Sequence, residues 1–195
     1  MAGASTYVKI PRERVGALIG PNGRVKGKIE EKLSVELRVE SETGDVKITL
    51  RPDTQDPSLL FRAKEVITAI GRGFSPARAF RLLDDEEAVL EVIDLREVVG
   101  RSPSDMKRLK GRIIGKEGKT RGIIEDLTEA HVSVYGHTVS VVGTLDQVGV
   151  AGEAVRMLLR GSQHHTVYQF LQRKRRELKK KRMELWEAPY EKLEK

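Results

Sequence analysis

The sequence contains no cysteine, a single tryptophan and few other aromatic residues, and it has no long apolar run. Without cysteine, the chain has no disulfide framework, no cysteine zinc site and no catalytic thiol. No stretch approaches the roughly 18 apolar residues of a membrane-spanning helix, and the first residues lack the basic start and apolar run of a signal peptide. We therefore expect a cytoplasmic protein that is neither secreted nor inserted in a membrane.

Patterns typical of catalysis or metal binding are also lacking. His164 and His165 are adjacent, so on a helix their side chains diverge by about 100° and cannot share a metal ion. The acidic run over residues 84–87 could in principle hold magnesium, but such a run is more commonly a solvated linker. No combination of nucleophile, base and orienting residue suggests an active site. The sequence thus predicts neither an enzyme nor a metal or cofactor site.

The chain instead has an excess of positive charge. Lys and Arg number 36 against 29 Asp and Glu, which gives a net charge of +7, and the isoelectric point is near 9.6. Such a balance is typical of nucleic-acid binding, although a merely well-solvated surface would have the same composition. The length of 195 residues suits one or two domains, and the apolar fraction of 38% suits modest cores.

One loop occurs twice in the chain. The segment over residues 16–30 recurs over 111–125 at a constant offset of 95 residues, without insertion or deletion. Its centre reads Gly20-Pro21-Asn22-Gly23 in the first copy and Gly115-Lys116-Glu117-Gly118 in the second. We interpret it as a tight turn between two helices, where glycine lets another backbone approach closely. The unpaired N–H groups at the start of the second helix favour an anion such as a phosphodiester.

The residues around each loop repeat one order of elements. Apolar alternation with period two marks strands, and apolar spacing of three or four marks helices. Both halves give strand, helix, turn, helix, strand, strand, helix. We predict a first domain over residues 5–71, a linker with a short helix over 72–87, a second domain over 88–160 and a basic C-terminal helix over 161–195. Because the linker has apolar residues at helical spacing, we expect it to pack between the two units.

The repeated loop and the order of elements resemble the KH domain, a single-stranded nucleic-acid binder whose Gly-x-x-Gly loop clamps a four-nucleotide backbone. The resemblance implies an α+β fold with two tandem type I KH domains. Each would be a three-stranded antiparallel sheet packed by three helices, and the basic helix would follow the second. It also implies that aliphatic side chains floor each groove, although ordinary core packing is the alternative for any one of them: Ile19, Ile29, Val39, Ile114, Ile124 and Val134.

The residues in and around the two loops are the candidate RNA contacts. Lys116 adds a cation to the second loop, whereas Pro21 removes a backbone donor from the first, so we expect the second clamp to be the stronger RNA site. Glu117 opposes a phosphate unless it points to solvent, and each basic residue could instead belong to a solvated helix face. The candidates are Gly20, Pro21, Asn22, Gly23, Arg24, Lys26, Arg112, Ile114, Gly115, Lys116, Glu117, Gly118, Lys119 and Arg121.

Three features together resemble one family more narrowly: the linker sequence over residues 75–83, the second clamp and the basic C-terminal segment. This is the family of archaeal tandem KH proteins related to the eukaryotic small-subunit assembly factor that partners the rRNA 3′-end endonuclease. The resemblance implies a role in ribosome biogenesis and rRNA processing, with binding near the 3′ end of precursor 16S rRNA. It further implies partnership with the processing endonuclease and with the alpha subunit of initiation factor two. Eukaryotic relatives have lost the glycines of the first loop, but Gly20 and Gly23 are present here.

Two other functions fit the residues. The chain could be a KH accessory subunit of an RNA-degradation or translation-initiation complex, or a protein-docking scaffold whose loops do not bind RNA. The basic C-terminal helix could follow an RNA backbone or dock a partner, and a solvated face is the alternative for its charges.

Overall fold

The first half of the chain forms one α+β unit in the computed structural model, which describes residues 4–54 and 56–187. Its elements are β1 (Ser5–Lys9), α1 (Arg12–Ile19), a 3-10 turn (Pro21–Gly23), α2 (Arg24–Lys32), β2 (Val35–Val39), β3 (Asp45–Leu50) and α3 (Ser58–Gly71). The strands pair antiparallel in the order β1-β3-β2, so β2 lies at an edge beside α2. In β2, Val35 and Leu37 are buried under the helices while Glu36 is exposed, because successive side chains of a strand point to opposite faces.

The second half repeats this architecture. Its elements are β4 (Ala88–Asp94), α6 (Arg96–Val99), α7 (Pro103–Ile114), a 3-10 turn (Lys116–Gly118), α8 (Lys119–Thr128), β5 (His131–Tyr135), β6 (Thr138–Thr144) and α9 (Leu145–Leu159). The strand order β4-β6-β5 is again antiparallel, and β5 takes the edge position of β2. A capping box starts α9, with Thr144 and Gln147 satisfying each other's backbone N–H groups. The fold class predicted from the repeat is therefore confirmed, while the short helix α6 was not predicted.

The linker joins the two units into one packed body. It contains two short helices, α4 (Pro76–Ala79) and α5 (Arg81–Asp84), where one had been predicted. Ala79 and Leu82 are buried in the first core, which also includes Ala88 and Val142 of the second sheet. Both faces of β6 are consequently buried, one by its own helices and the other by α5. The expectation that the linker packs between the units is confirmed.

The C-terminal helix is partly a core element of the second unit. It is α10 (His164–Glu187), and its first turns pack against α8 and α9. Val167 and Leu171 are fully buried in the second core, and the hydroxyl groups of Thr120 and Tyr168 lie 3.0 Å apart. The predicted boundary at residue 160 thus falls between two elements that share one core. The predicted helix over 161–195 extends into residues 188–195, which lie outside the described residues.

Candidate nucleic-acid interface

The two Gly-x-x-Gly loops follow the same backbone path. Each starts with a glycine that has φ near +70° and an extended ψ, and each continues through two residues in the left-handed region. The φ values are 70°, 52° and 73° at Gly20, Asn22 and Gly23, and 73°, 54° and 79° at Gly115, Glu117 and Gly118. Because the sequences between the glycines differ, this shared path is set by the glycines and the flanking helices.

The first glycine of each loop is required by packing. A Cβ on Gly20 would overlap the side chain of Val25, and a Cβ on Gly115 would overlap that of Thr120. Val25 and Thr120 lie at equivalent positions in the first turn of α2 and α8. The combination of positive φ and extended ψ is, in addition, essentially restricted to glycine. These two residues therefore hold the loop against the helix that follows it.

The last glycine of each loop has a different role, because its surface is open. The position that a Cβ would take on Gly23 has no atom within 4 Å among the described residues. The corresponding position on Gly118 has only Arg121 Nη2, at 4.0 Å. A ligand backbone can approach both positions as long as no side chain is present there.

Each loop leads into a helix N-terminus that no side chain caps. Gly23 and Gly118 are the N-cap residues of α2 and α8, and among the described residues neither helix has a side-chain cap or an acidic residue in its first turn. The N–H groups of that turn point out of the helix, where they and the helix dipole favour an anion. The tight turn followed by an uncapped helix N-terminus is therefore present in both units, and the binding of a phosphate there stays a prediction.

The basic candidates fall into two groups. Arg24 at the first loop and Lys116 and Lys119 at the second are exposed, so they can reach a phosphate. Arg112, in contrast, donates hydrogen bonds to the carbonyl oxygens of Leu158 and Ser162, at 3.3 and 2.6 Å. It therefore fixes the C-terminal end of α9, and fewer of its N–H donors are free for a phosphate. Its contact with RNA stays a prediction.

A repeated glutamate, which sequence reasoning left without a role, closes each groove at its base. Glu30 accepts a hydrogen bond of 2.8 Å from Leu37 N, and Glu125 accepts one of 2.7 Å from Val132 N. Each carboxylate thus ties the second helix of its unit to the edge strand. Its presence at the same position of both copies was the available signal.

The basic residue one turn before each of these glutamates pairs with it. Lys26 Nζ lies 3.7 Å from Glu30, and Arg121 Nε lies 4.0 Å from Glu125. These two candidates are therefore held beside the glutamates by their ion pairs, and their contact with RNA stays a prediction.

The six aliphatic candidates for the groove floors divide by burial. Ile29 and Ile124 are fully buried core residues, which is the alternative that their sequence pattern allowed. The other four side chains are partly exposed beside the groove, where an unpaired base can contact them: Ile19, Val39, Ile114 and Val134.

The second groove borders the interface between the units. Tyr135 of β5 donates a hydrogen bond of 2.5 Å to Glu13 of α1, which holds the pKa of that carboxyl below its usual value. Burial lowers the pKa of His131, and the charges of Arg78 and Arg81 lower it further. This imidazole is therefore neutral near pH 7, and the interface around β5 gains no additional charge from it.

Within the described part of the chain, no cluster of three or more potential metal ligands occurs. The same residues include no helix with the length and apolar character needed to cross a membrane.

Among known families, a KH domain model matches residues 5–68 of the chain. A eukaryotic-type, type I KH domain model matches residues 89–176. A KH domain-containing protein of Methanocaldococcus jannaschii is 49% identical over 179 residues, covering 92% of this chain and 78% of its own length. The RNA-binding protein PNO1 of Oryzias latipes is 31% identical over 72% of this chain, and the pre-rRNA-processing protein PNO1 of Candida glabrata is 27% identical over 84%. The chain spans only 58% and 63% of the lengths of these two PNO1 proteins.

Two solved structures are similar over most of the chain. Dim2p from Pyrococcus horikoshii superposes with a TM-score of 0.80 at 45% identity, covering 87% of this chain and 99% of that one. The aDim2p in a complex with a/eIF2alpha and rRNA from the same organism gives a TM-score of 0.83 at 44% identity, covering 89% and 95%. With both KH domains matched and this degree of identity, the chain belongs to the family of tandem KH-domain proteins that includes archaeal Dim2p and eukaryotic PNO1.

Proposed function

We propose that the chain is a single-stranded RNA-binding protein that acts in small ribosomal subunit assembly and binds near the 3′ end of precursor 16S rRNA. The observation that carries this proposal is the pair of open clamps. In each clamp the last glycine of the loop has an open surface and is followed by an uncapped helix N-terminus. Relatives described as pre-rRNA-processing proteins, and a relative solved in complex with rRNA, support this choice of RNA.

In this account each loop holds a phosphodiester and the groove beside it receives unpaired bases. The second clamp contributes more affinity, because Lys116 and Lys119 are exposed there, whereas Pro21 leaves the first loop without one N–H donor. The packed linker keeps the two clamps at a fixed spacing. Occupation of one clamp therefore raises the effective concentration of the RNA at the other.

The exposed charges of α10 extend the basic surface of the second unit. Arg175, Arg176 and Lys179 are exposed beyond the buried turns of the helix. They would contact phosphates without reading bases. Replacing Arg175 and Lys179 with glutamine should lower the salt slope of RNA binding by about 1.4, because each neutralised phosphate of a single strand contributes about 0.7. The preference among RNA sequences should stay the same, and a changed preference at an unchanged slope would assign this helix a different role.

The partners follow from the same proposal. The processing endonuclease and the alpha subunit of initiation factor two would join the chain on rRNA, and the chain itself would bind without catalysing a reaction, in the cytoplasm. The relative solved with a/eIF2alpha favours one second candidate, a KH accessory subunit of a translation-initiation complex.

Crosslinking in cells tests the choice of RNA. The tagged protein is crosslinked to RNA with ultraviolet light, and the bound fragments are sequenced. The proposal predicts that fragments accumulate at the 3′ end of precursor 16S rRNA. Enrichment of mature ribosomes or messenger RNA start regions would favour the initiation complex, and an even distribution over cellular RNA would refute both.

A further inference from the structure

The groove of the second KH domain is not built by that domain alone. A cavity of about 290 Å³ lies at the free edge of β5. One wall comes from the second unit, with Arg121 of α8 and residues 132–135 of β5. The opposite wall comes from the end of the first unit and the linker, with residues 73–75 and Arg78. We call this space the interdomain cavity.

The linker wall is held in place by several contacts. Ser133 Oγ donates a hydrogen bond of 2.9 Å to the carbonyl oxygen of Arg72. A Cβ on Gly73 would overlap Tyr135, so the linker backbone passes directly over the strand. Arg14 of α1 donates to the carbonyl oxygen of Phe74 at 2.6 Å. The wall is therefore a fixed part of the groove.

Two arginines that line the cavity both lie close to one glutamate, Glu125. Arg78 Nη1 donates a hydrogen bond of 2.7 Å to Glu125 Oε1, the same oxygen that accepts from Val132 N. Arg121 Nε lies 4.0 Å from the other oxygen of Glu125. With two cationic side chains facing one carboxylate, the cavity retains one positive charge.

Arg121 has a donor that the protein does not use. Its Nε is buried and has no hydrogen-bond partner among the described residues. An N–H that is removed from water without a partner is destabilising, so this guanidinium gains a hydrogen bond when a ligand draws it into a slightly different position. Arg121 Nη2 lies 4.0 Å from the Cβ position on Gly118, so one guanidinium spans the distance from the clamp to the cavity.

The strand edge offers further groups of the right kind. In a β-strand, alternate residues direct their N–H and C=O groups to the same side. Because Val132 N points from β5 toward α8, the N–H and C=O of Val134 point to the same free edge, where Val134 lines the cavity. The cavity thus presents a donor and an acceptor from the backbone, together with donors from two arginines.

From these contacts, and on the basis of the RNA-binding function proposed above, we propose that the interdomain cavity receives one unstacked base next to the second clamp, and that Arg78 and Arg121 select a base bearing a carbonyl oxygen. Guanine, cytosine and uracil carry such an oxygen, and adenine does not. Guanidinium groups only donate hydrogen bonds, and the acceptors N1 and N7 of adenine each stand beside its amino group, which is itself a donor and faces the guanidinium unfavourably.

In the first groove, the contacts of the corresponding glutamate among the described residues come from its own unit. Glu30, the equivalent of Glu125, accepts from its own edge strand and pairs with Lys26 of its own helix. Arg78 therefore gives the second groove a selectivity that the KH fold does not supply by itself. It also makes base selection in the second domain dependent on the linker of the first.

Arg81 provides a matched control. Like Arg78, it extends from the linker to the second unit, where it donates to the carbonyl oxygen of Glu129 at 2.6 Å and to Gln147 Oε1 at 2.5 Å. It does not line the cavity. Arg81→Gln therefore removes two contacts between linker and second unit and Arg78→Gln removes one, but only Arg78→Gln alters the cavity.

The test uses a pool of short random single-stranded RNAs, selected by the full-length protein and sequenced. The wild type should disfavour adenine at one position of the bound motif. Arg78→Gln should reduce that discrimination about tenfold, as expected for one hydrogen bond from a charged donor. Arg78→Lys should fall between the two, because it keeps the charge but loses the planar fork. Arg81→Gln should retain the wild-type preference.

The possible results distinguish a failure of this inference from a failure of the proposed function. If Arg78→Gln and Arg78→Lys both keep the preference of the wild type against adenine, the inference is wrong. It is also wrong if Arg78→Gln and Arg81→Gln weaken the binding of all RNAs equally. In either case Arg78 only holds the two units together. The wild type would still bind single-stranded RNAs from the pool, so the proposed function would stand. A wild type that retains no RNA from the pool would overturn the proposed function and this inference together.

Discussion

Replacing the last glycine of the second clamp with alanine should separate RNA binding from stability. Gly118 has φ +79° and ψ 9°, so alanine there takes on a left-handed conformation that costs about 1 kcal/mol. Its Cβ would meet only the end of Arg121 at 4.0 Å, so packing adds little. A domain with ~5–15 kcal/mol of stability stays almost fully folded after such a loss.

RNA binding should fall much further than stability. The added methyl group lies on the open surface where the phosphodiester backbone approaches, and it forces the backbone away from the N–H groups of α8. We expect the dissociation constant of Gly118→Ala to rise at least tenfold, equivalent to about 1.4 kcal/mol. The measurement is an RNA titration at fixed salt, paired with urea unfolding followed by circular dichroism.

Two further variants make the comparison quantitative. Gly115→Ala combines a backbone conformation restricted to glycine with an overlap on Thr120, whose backbone N would lie 2.8 Å away, so it should lose about 3 kcal/mol of stability. Gly149 is exposed on a helix, and a Cβ there would have no neighbour within 4 Å in the described part of the chain, so Gly149→Ala should stabilise by about 1 kcal/mol without affecting RNA binding. If Gly118→Ala binds RNA like the wild type, the loop does not approach the backbone as described here.

Two other changes test the unequal roles of the clamps and the repeated glutamate. Replacing Lys116 and Glu117 with aspartates should weaken RNA binding more than replacing Pro21 and Asn22 with aspartates. The measurement is an RNA titration of the folded variants at matched salt, and the opposite order would assign the main site to the first domain. Glu30→Gln replaces a charged acceptor by a neutral one at the edge-strand N–H, so it should lower the free energy of unfolding by about 1 kcal/mol in urea titrations.

Local patterns in the sequence predicted what the structure forms locally. The period-two alternation of the strands and the turn at each Gly-x-x-Gly motif depend on neighbouring residues, and both were found as predicted. The repeat extended these local predictions to a topology, since two copies of one element order fold in the same way. The family resemblance then added the expectation of a groove with an aliphatic floor in each unit.

Long-range contacts were not predictable in this way. Arg112 has the charge and position of a phosphate contact, yet its partners are carbonyl groups 46 and 50 residues later. Val167 and Leu171 have ordinary helical spacing, and nothing local indicates that they complete the core of the preceding domain. Arg78 likewise belongs to a linker whose sequence does not reveal that it reaches the groove of the second domain. Each of these roles depends on which elements pack together in the fold, and the local sequence pattern around a residue does not indicate its distant partners.

The central claim is that two open clamps bind unpaired RNA. The most direct measurement is the affinity of the full-length protein for one RNA strand from the 3′ region of 16S rRNA, alone and annealed to its complement, at the same salt concentration. Because a paired stem hides the base edges that the grooves need, the single strand should bind at least about tenfold more tightly. Equal affinity for strand and duplex would mean that only charge attracts the RNA, and it would contradict the account.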